Sequence, residues 1–184
     1  MGKPVRLYIM RHANAVSRGT AGYGQGRDSE RPLNENGREQ AHKVAKGLKR
    51  LGIIPDLLLT SPYRRATETA EQVRRVLGPS IPTKEMPELR SEARPAGTSL
   101  ALGGYASAEE ILLVGHEPHL SSWLAELVAT PSGFKCLIKK AGVSCVEVPR
   151  VPPPGGSGVL RWLMTPKQLS GIAKAARHAD EPAA

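Results

Sequence analysis

The chain is poor in aromatic residues: Phe, Trp and Tyr together make up 4% of its 184 residues. Proteins that bind single-stranded nucleic acid stack its bases on aromatic rings, and those platforms are largely missing. Cysteine is scarcer, with only Cys136 and Cys145 and no CxxC or zinc-finger spacing. A disulfide is left open, and reduced thiols in a cytoplasm are the expectation. No apolar run approaches the roughly 20 residues that cross a bilayer, so no membrane partner is expected. The apolar start runs into Arg11-His12 without a small-residue cleavage site, and reads as a first strand rather than a secretion signal. Several signatures are absent as well. No GxxxxGK[ST] loop and no GxGxxG follows a strand, which argues against nucleotide cradles; no GxSxG elbow marks a serine hydrolase.

Positive charge is in surplus. Lys and Arg number 26 against 17 Asp and Glu, a net charge of +9. The surplus implies attraction to anions: phosphate esters, phosphoproteins, polyphosphate or nucleic acid. With no aromatic interleaving and no DNA-binding spacing, nucleic acid is not expected as the partner. Much of the charge reads as solvated surface, including Lys43, Lys46, Lys49 and Arg50 on one helix face.

Apolar spacing outlines the elements. Val5–Met10 suits a buried strand. Residues 13–33 read as a long loop. Ala41, Val44, Ala45, Leu48 and Leu51 mark a helix capped by Asn34 and closed by Gly52. Asp56–Thr60 is a second strand, and Ser61-Pro62 suggests an N-cap with Pro in the first turn. The helix that follows, through Ala66, Ala70 and Val73, stops at Gly78. Residues 79–108 read as loop with at most one short helix. Ile111–Val114 is the most apolar strand, and Pro118 opens a helix. Ser144–Val148 and Val159–Met164 suit a hairpin, and Thr165-Pro166 starts a last helix. Strands alternating with helices predict an α/β class: a three-layer α/β/α sandwich around a mostly parallel sheet. One domain over residues 1–177 is expected, with 178–184 a frayed tail.

Three polar clusters each follow an apolar strand: Arg11-His12, Ser61 to Arg65, and Gly115-His116. In a parallel sheet the C-terminal strand ends share one edge, where ligands bind. Two histidines and at least two arginines therefore converge on one pocket. Taken singly, each has an ordinary reading: a satisfied loop histidine, or a surface cation. His116 and His119 flank Glu117 and Pro118, but without HExxH spacing they do not read as zinc ligands. No metal and no cofactor is expected.

Together, Arg11-His12-Ala13, Arg31-Pro32-Leu33 before an Asn-x-x-Gly helix start, Ser61-Pro62-Tyr63-Arg64-Arg65-Ala66 and Gly115-His116 resemble the histidine phosphatase superfamily, and most its small SixA-like phosphohistidine phosphatases. The resemblance covers most of the chain, as far as Trp162-Leu163-Met164-Thr165-Pro166. It implies a phosphoglycerate mutase-like fold without a large cap, and metal-independent phosphatase activity. His12 would attack phosphorus. Arg11, Arg65 and His116 would hold the phosphoryl oxygens, with Arg31 as a further phosphate contact. Arginine forks suit such oxygens. Flanking cations would keep His12 neutral, and a backbone carbonyl would fix its second nitrogen.

Two features depart from the superfamily. Ala13 stands where Gly is usual, which a negative φ would tolerate. The region that supplies a general acid elsewhere offers Glu88 and Glu92 without a clear match. An alkoxide leaves poorly without such an acid, whereas a phosphorylated imidazole can take its proton from solvent. The expected substrate is therefore a phosphohistidine-bearing protein. Small phosphate esters or polyphosphate are the alternative by the same mechanism, and a non-catalytic phosphate-binding module a distant one. A cytoplasmic monomer is expected.

Overall fold

The computed structural model describes residues 3–20, 27–129 and 134–179. Strand β1 (Val5–Arg11) lies near the centre of a six-stranded sheet. Helix α1 (Glu35–Arg50) follows, then β2 (Leu57–Thr60), α2 (Arg64–Leu77) and β3 (Thr83–Glu85). After these come α3 (Pro95–Ala101), β4 (Glu110–Gly115), α4 (His119–Val128), β5 (Val143–Val148), β6 (Val159–Met164) and α5 (Pro166–Ala179). The strand order is β3-β2-β4-β1-β5-β6. Pairings β1–β4, β4–β2 and β2–β3 are parallel, while β5 joins β1 and β6 antiparallel. The expected mostly parallel α/β sheet is present.

Two apolar cores, one per sheet face, explain why the central strands read as continuous hydrophobic runs. Tyr8, Met10, Leu58, Leu112 and Val114 face α1, α2 and α5. Their neighbours Leu7, Ile9, Leu59, Ile111 and Leu113 face the opposite core, which α4 closes with Leu120, Trp123 and Leu124. Alternation along each strand thus buries both faces.

Local signals account for most helix ends. Asn34 Oδ1 accepts from Gly37 N at 2.7 Å, capping α1. Thr165 and Gln168 bond reciprocally at the start of α5: Gln168 Oε1 accepts from Thr165 N at 2.8 Å, and Thr165 Oγ1 from Gln168 N at 3.3 Å. Gly47 allows α1 and α5 to cross closely, because a Cβ there would lie 2.2 Å from the Leu169 carbonyl oxygen.

Two expectations are corrected. Ser61 does not cap α2, whose N-cap is Tyr63 without a side-chain bond; the Ser61 hydroxyl is turned to His116 instead. The stretch 79–108 holds more than one short helix. It carries β3, α3 and 3-10 turns at Pro87–Leu89 and Leu102–Tyr105. Strand β3 carries no sequence signal, because its three residues, Thr-Lys-Glu, are all exposed and show no apolar alternation. Helix α5 runs through Ala179, and residues 180–184 of the expected frayed tail lie outside the described residues, as do 21–26 of the predicted loop.

Candidate active site

The C-terminal ends of β1, β4 and β2 bring the three polar clusters together. His12 follows β1, and its N–H donates to the Gly115 carbonyl at 3.0 Å, across to the end of β4. His116 comes next on that strand, its ring 4.9 Å from the His12 ring. Arg65, in the first turn of α2, directs Nε at His12 Nε2, 3.3 Å away. All three are buried, with His12 7%, Arg65 3% and His116 1% exposed.

His12 Nδ1 lies 2.7 Å from the Ala13 carbonyl oxygen, which only accepts. Nδ1 therefore carries the proton, and Nε2 keeps a lone pair turned to Arg65. The expected backbone acceptor is thus Ala13 O. Ala13 is not among the positive-φ residues, so its methyl is accommodated. Burial foremost, then the charges of Arg65, Arg11 and Lys140, push the His12 pKa down to about 3 despite the Ala13 hydrogen bond. Cations were the expected cause; desolvation is the larger one.

His116 Nε2 lies 2.9 Å from Ser61 Oγ. That hydroxyl already accepts from Tyr63 N, and no other acceptor for its proton occurs among the described residues. Its proton is thereby assigned to His116 Nε2, which leaves the His116 proton on Nδ1. That buried N–H has no partner, and neither does the buried Nε of Arg11. An unmet buried donor costs roughly 1–3 kcal/mol, a cost that a bound anion would relieve at both groups. Arg11 is held by Nη1, which donates to the Ile138 carbonyl at 3.0 Å. Burial, and secondarily His12 and Arg65, push the His116 pKa down to about 2.

Thr69 ties α2 to the loop after β1: its hydroxyl donates to the Arg65 carbonyl at 2.6 Å and accepts from Ala13 N at 3.1 Å. The Tyr63 ring packs 5.0 Å from the His116 ring, and the Arg65 guanidinium lies 5.1 Å from its centre.

The remaining candidates are placed differently. Arg31 donates to Asp28 Oδ1 at 2.9 Å and to the Val16 carbonyl at 2.8 Å. Glu92 accepts from the Tyr63 hydroxyl at 2.7 Å and from Ser91 at 2.8 Å. The Tyr63 hydrogen bond lowers its pKa. Glu92 is therefore a carboxylate near neutral pH, without a proton to give. Glu88 enters the polar network through its carbonyl, which accepts from Thr98. His119 turns to Thr98 and the Ala93 carbonyl rather than towards His116. Among the described residues no group of three or more His, Cys, Asp or Glu is gathered as for a metal ion. Cys136 and Cys145 are free thiols. No described helix is long and apolar enough to cross a membrane.

Asp28 was missed in the sequence. Its carbonyl and carboxylate take the two terminal nitrogens of Arg65, at 2.7 and 3.0 Å. The only available signal was its place three residues before Arg31, inside a polar loop with no periodicity.

The sequence profile of the histidine phosphatase superfamily (branch 1) matches residues 7–93. An uncharacterized protein of Picosynechococcus sp. is 32% identical over 146 residues, covering 76% of this chain and 82% of its own. The phosphohistidine phosphatase SixA of Escherichia coli is 28% identical over 177 residues, covering 93% and 99%. A solved structure of the protein histidine phosphatase SixA complexed with tungstate superposes with a TM-score of 0.76 at 26% identity, covering 90% and 99%. With its strand-edge histidines and arginines, the chain belongs to the histidine phosphatase superfamily. Within that superfamily it is SixA-like, and it is a phosphatase.

Proposed function

We propose that the chain is a protein phosphohistidine phosphatase that carries the phosphoryl group on His12 Nε2. The observation that carries this reading is the tautomer of His12: Ala13 O holds the Nδ1 proton, so the Nε2 lone pair faces the Arg65 fork. Nε2 forms the P–N bond as the P–N bond of the substrate breaks, and the leaving imidazole takes a proton from solvent. Water then attacks the His12 phosphoramidate, releasing inorganic phosphate and restoring the lone pair. The unpartnered N–H groups of Arg11 Nε and His116 Nδ1, with Arg65, stabilise the phosphoryl oxygens in both steps.

The state of Glu92 favours an N–P substrate. Engaged by Tyr63 and Ser91 and ionised, it does not supply the proton an alkoxide leaving group needs. The relative from Escherichia coli, named a phosphohistidine phosphatase, points the same way. The surplus positive charge suits an anionic protein substrate.

The test is hydrolysis of a phosphohistidine-bearing protein and of an aryl and an alkyl phosphate, by the native chain and by His12→Ala. Turnover of the phosphoprotein, slow turnover of the alkyl ester and loss of both in His12→Ala are expected. Fast turnover of the alkyl ester with none of the phosphoprotein would move the substrate to small esters or polyphosphate.

A further inference from the structure

Arg65 is a cation taken out of water, its side chain 4% exposed, and such a charge is costly without a counter-charge. Asp28 supplies it, and does so at the far end of the fork. Nη1 donates to the Asp28 carbonyl oxygen and Nη2 to Oδ2. A guanidinium is planar with its donors in fixed directions, so anchoring both terminal nitrogens sets where the third points. That third nitrogen, Nε, is the one facing His12 Nε2.

The same carboxylate gathers two more arginines. Its Oδ1 accepts from Arg31 Nε at 2.9 Å and from Arg18 Nε at 3.0 Å. Burial alone would raise the Asp28 pKa, but the Arg18 hydrogen bond and the charges of Arg65 and Arg31 outweigh it and hold it at about 2. The carboxylate is therefore charged throughout the working range. Its charge matters because Arg11, Arg65 and Lys140 all act on His12. A dianionic product in that field is held strongly, and one fixed negative charge beside Arg65 weakens the hold.

We propose that Asp28 is a positioning residue with two effects: it aims Arg65 at His12, and its charge offsets the arginines so that inorganic phosphate leaves. The proposal rests on His12 as the phosphoryl acceptor. It explains why an acidic residue sits among cations in a site for anions. Tight binding of substrate and product alike does not raise turnover, so a charge that loosens both while fixing the fork serves kcat.

The experiment compares Asp28→Asn and Asp28→Glu with the native chain. It measures kcat and KM on p-nitrophenyl phosphate, the competitive inhibition constant of inorganic phosphate, and thermal unfolding. For Asp28→Asn, kcat falls by up to about 10²-fold, the cost of a misaimed group, while the inhibition constant for phosphate tightens several-fold. For Asp28→Glu, which keeps the charge but displaces the fork, kcat falls and the inhibition constant stays near the native value. A merely structural role lowers kcat without tightening phosphate. Native kcat in Asp28→Asn, or phosphate binding that is unchanged or weaker, overturns the proposal. If Asp28→Asn does not fold, Asp28→Glu decides: native kcat there overturns the proposal. Turnover surviving in His12→Ala instead removes the functional reading, whatever Asp28 does to phosphate inhibition.

Discussion

Arg65 Nε donates to His12 Nε2 across 3.3 Å, which ties the first turn of α2 to the end of β1. The contact brings the fixed cation of the site against the lone pair of its histidine. Removing the cation tests its worth. Arg65→Ala is expected to lower kcat about 10²–10³-fold, by analogy with loss of one oxyanion-hole donor. Arg65→Lys is expected not to restore it, because an ammonium lacks the fork that spans Asp28 and His12. Steady-state kinetics on an aryl phosphate measure both, and native-like turnover in Arg65→Lys would count against a geometric role.

Ser61 fixes the tautomer of His116 through a 2.9 Å contact. Ser61→Ala removes a buried hydrogen-bond partner, which costs about 1–3 kcal/mol of stability. It also frees the His116 proton to sit on either nitrogen, so kcat is expected to fall while KM changes little. Urea unfolding and steady-state kinetics read the two effects separately.

Acid is expected to unfold the protein earlier than its carboxylates alone would cause. The buried rings of His12 and His116 are held at about 3 and about 2, whereas an unfolded histidine titrates near 6.5. As pH falls below about 6.5 towards 3, the unfolded chain binds protons that the folded chain refuses, and stability declines. Above that window the contribution is fully present. Urea midpoints at pH 7.5, 6.0 and 5.0 check this. A decline between the first and last that flattens in His116→Asn is the expected result, and a flat profile in the native chain contradicts it.

Gly47 sets the approach of α1 to α5. Alanine is the better helix former by about 1 kcal/mol, yet its methyl would press on the backbone at Leu169. Overpacking of this kind typically costs about 1–3 kcal/mol, so Gly47→Ala is expected to lower the unfolding midpoint despite its helix propensity. A rise in the midpoint would mean that the helices separate freely.

Much of the architecture was legible because the central strands are buried on both faces, so β4 stands out as an unbroken apolar run and β1 as one interrupted only by Arg6. The clusters after β1, β2 and β4 were legible for a related reason: parallel strands deliver their C-terminal ends to one edge. What could not be read depends on contacts between distant segments. Asp28 has no periodicity around it, and its contact with the site exists only because Arg65, 37 residues later, folds back onto it. Ser61 carried a plausible local signal for a cap, and the tertiary contact with His116 overrode it. Glu92 could be named from the sequence, but its engagement by Tyr63 could not, since 29 residues separate them. Likewise β3 is held by pairing with β2 rather than by any pattern of its own.

The central claim is that the lone pair on His12 Nε2 receives the phosphoryl group. The most direct measurement is rapid acid-free quenching of the protein during turnover of a ³²P-labelled phosphohistidine protein, followed by peptide mapping and identification of the phosphohistidine isomer. The account predicts label on His12 alone, as the Nε2 isomer, and none in His12→Ala. Label on His116, the Nδ1 isomer at His12, or full turnover in His12→Ala would contradict it.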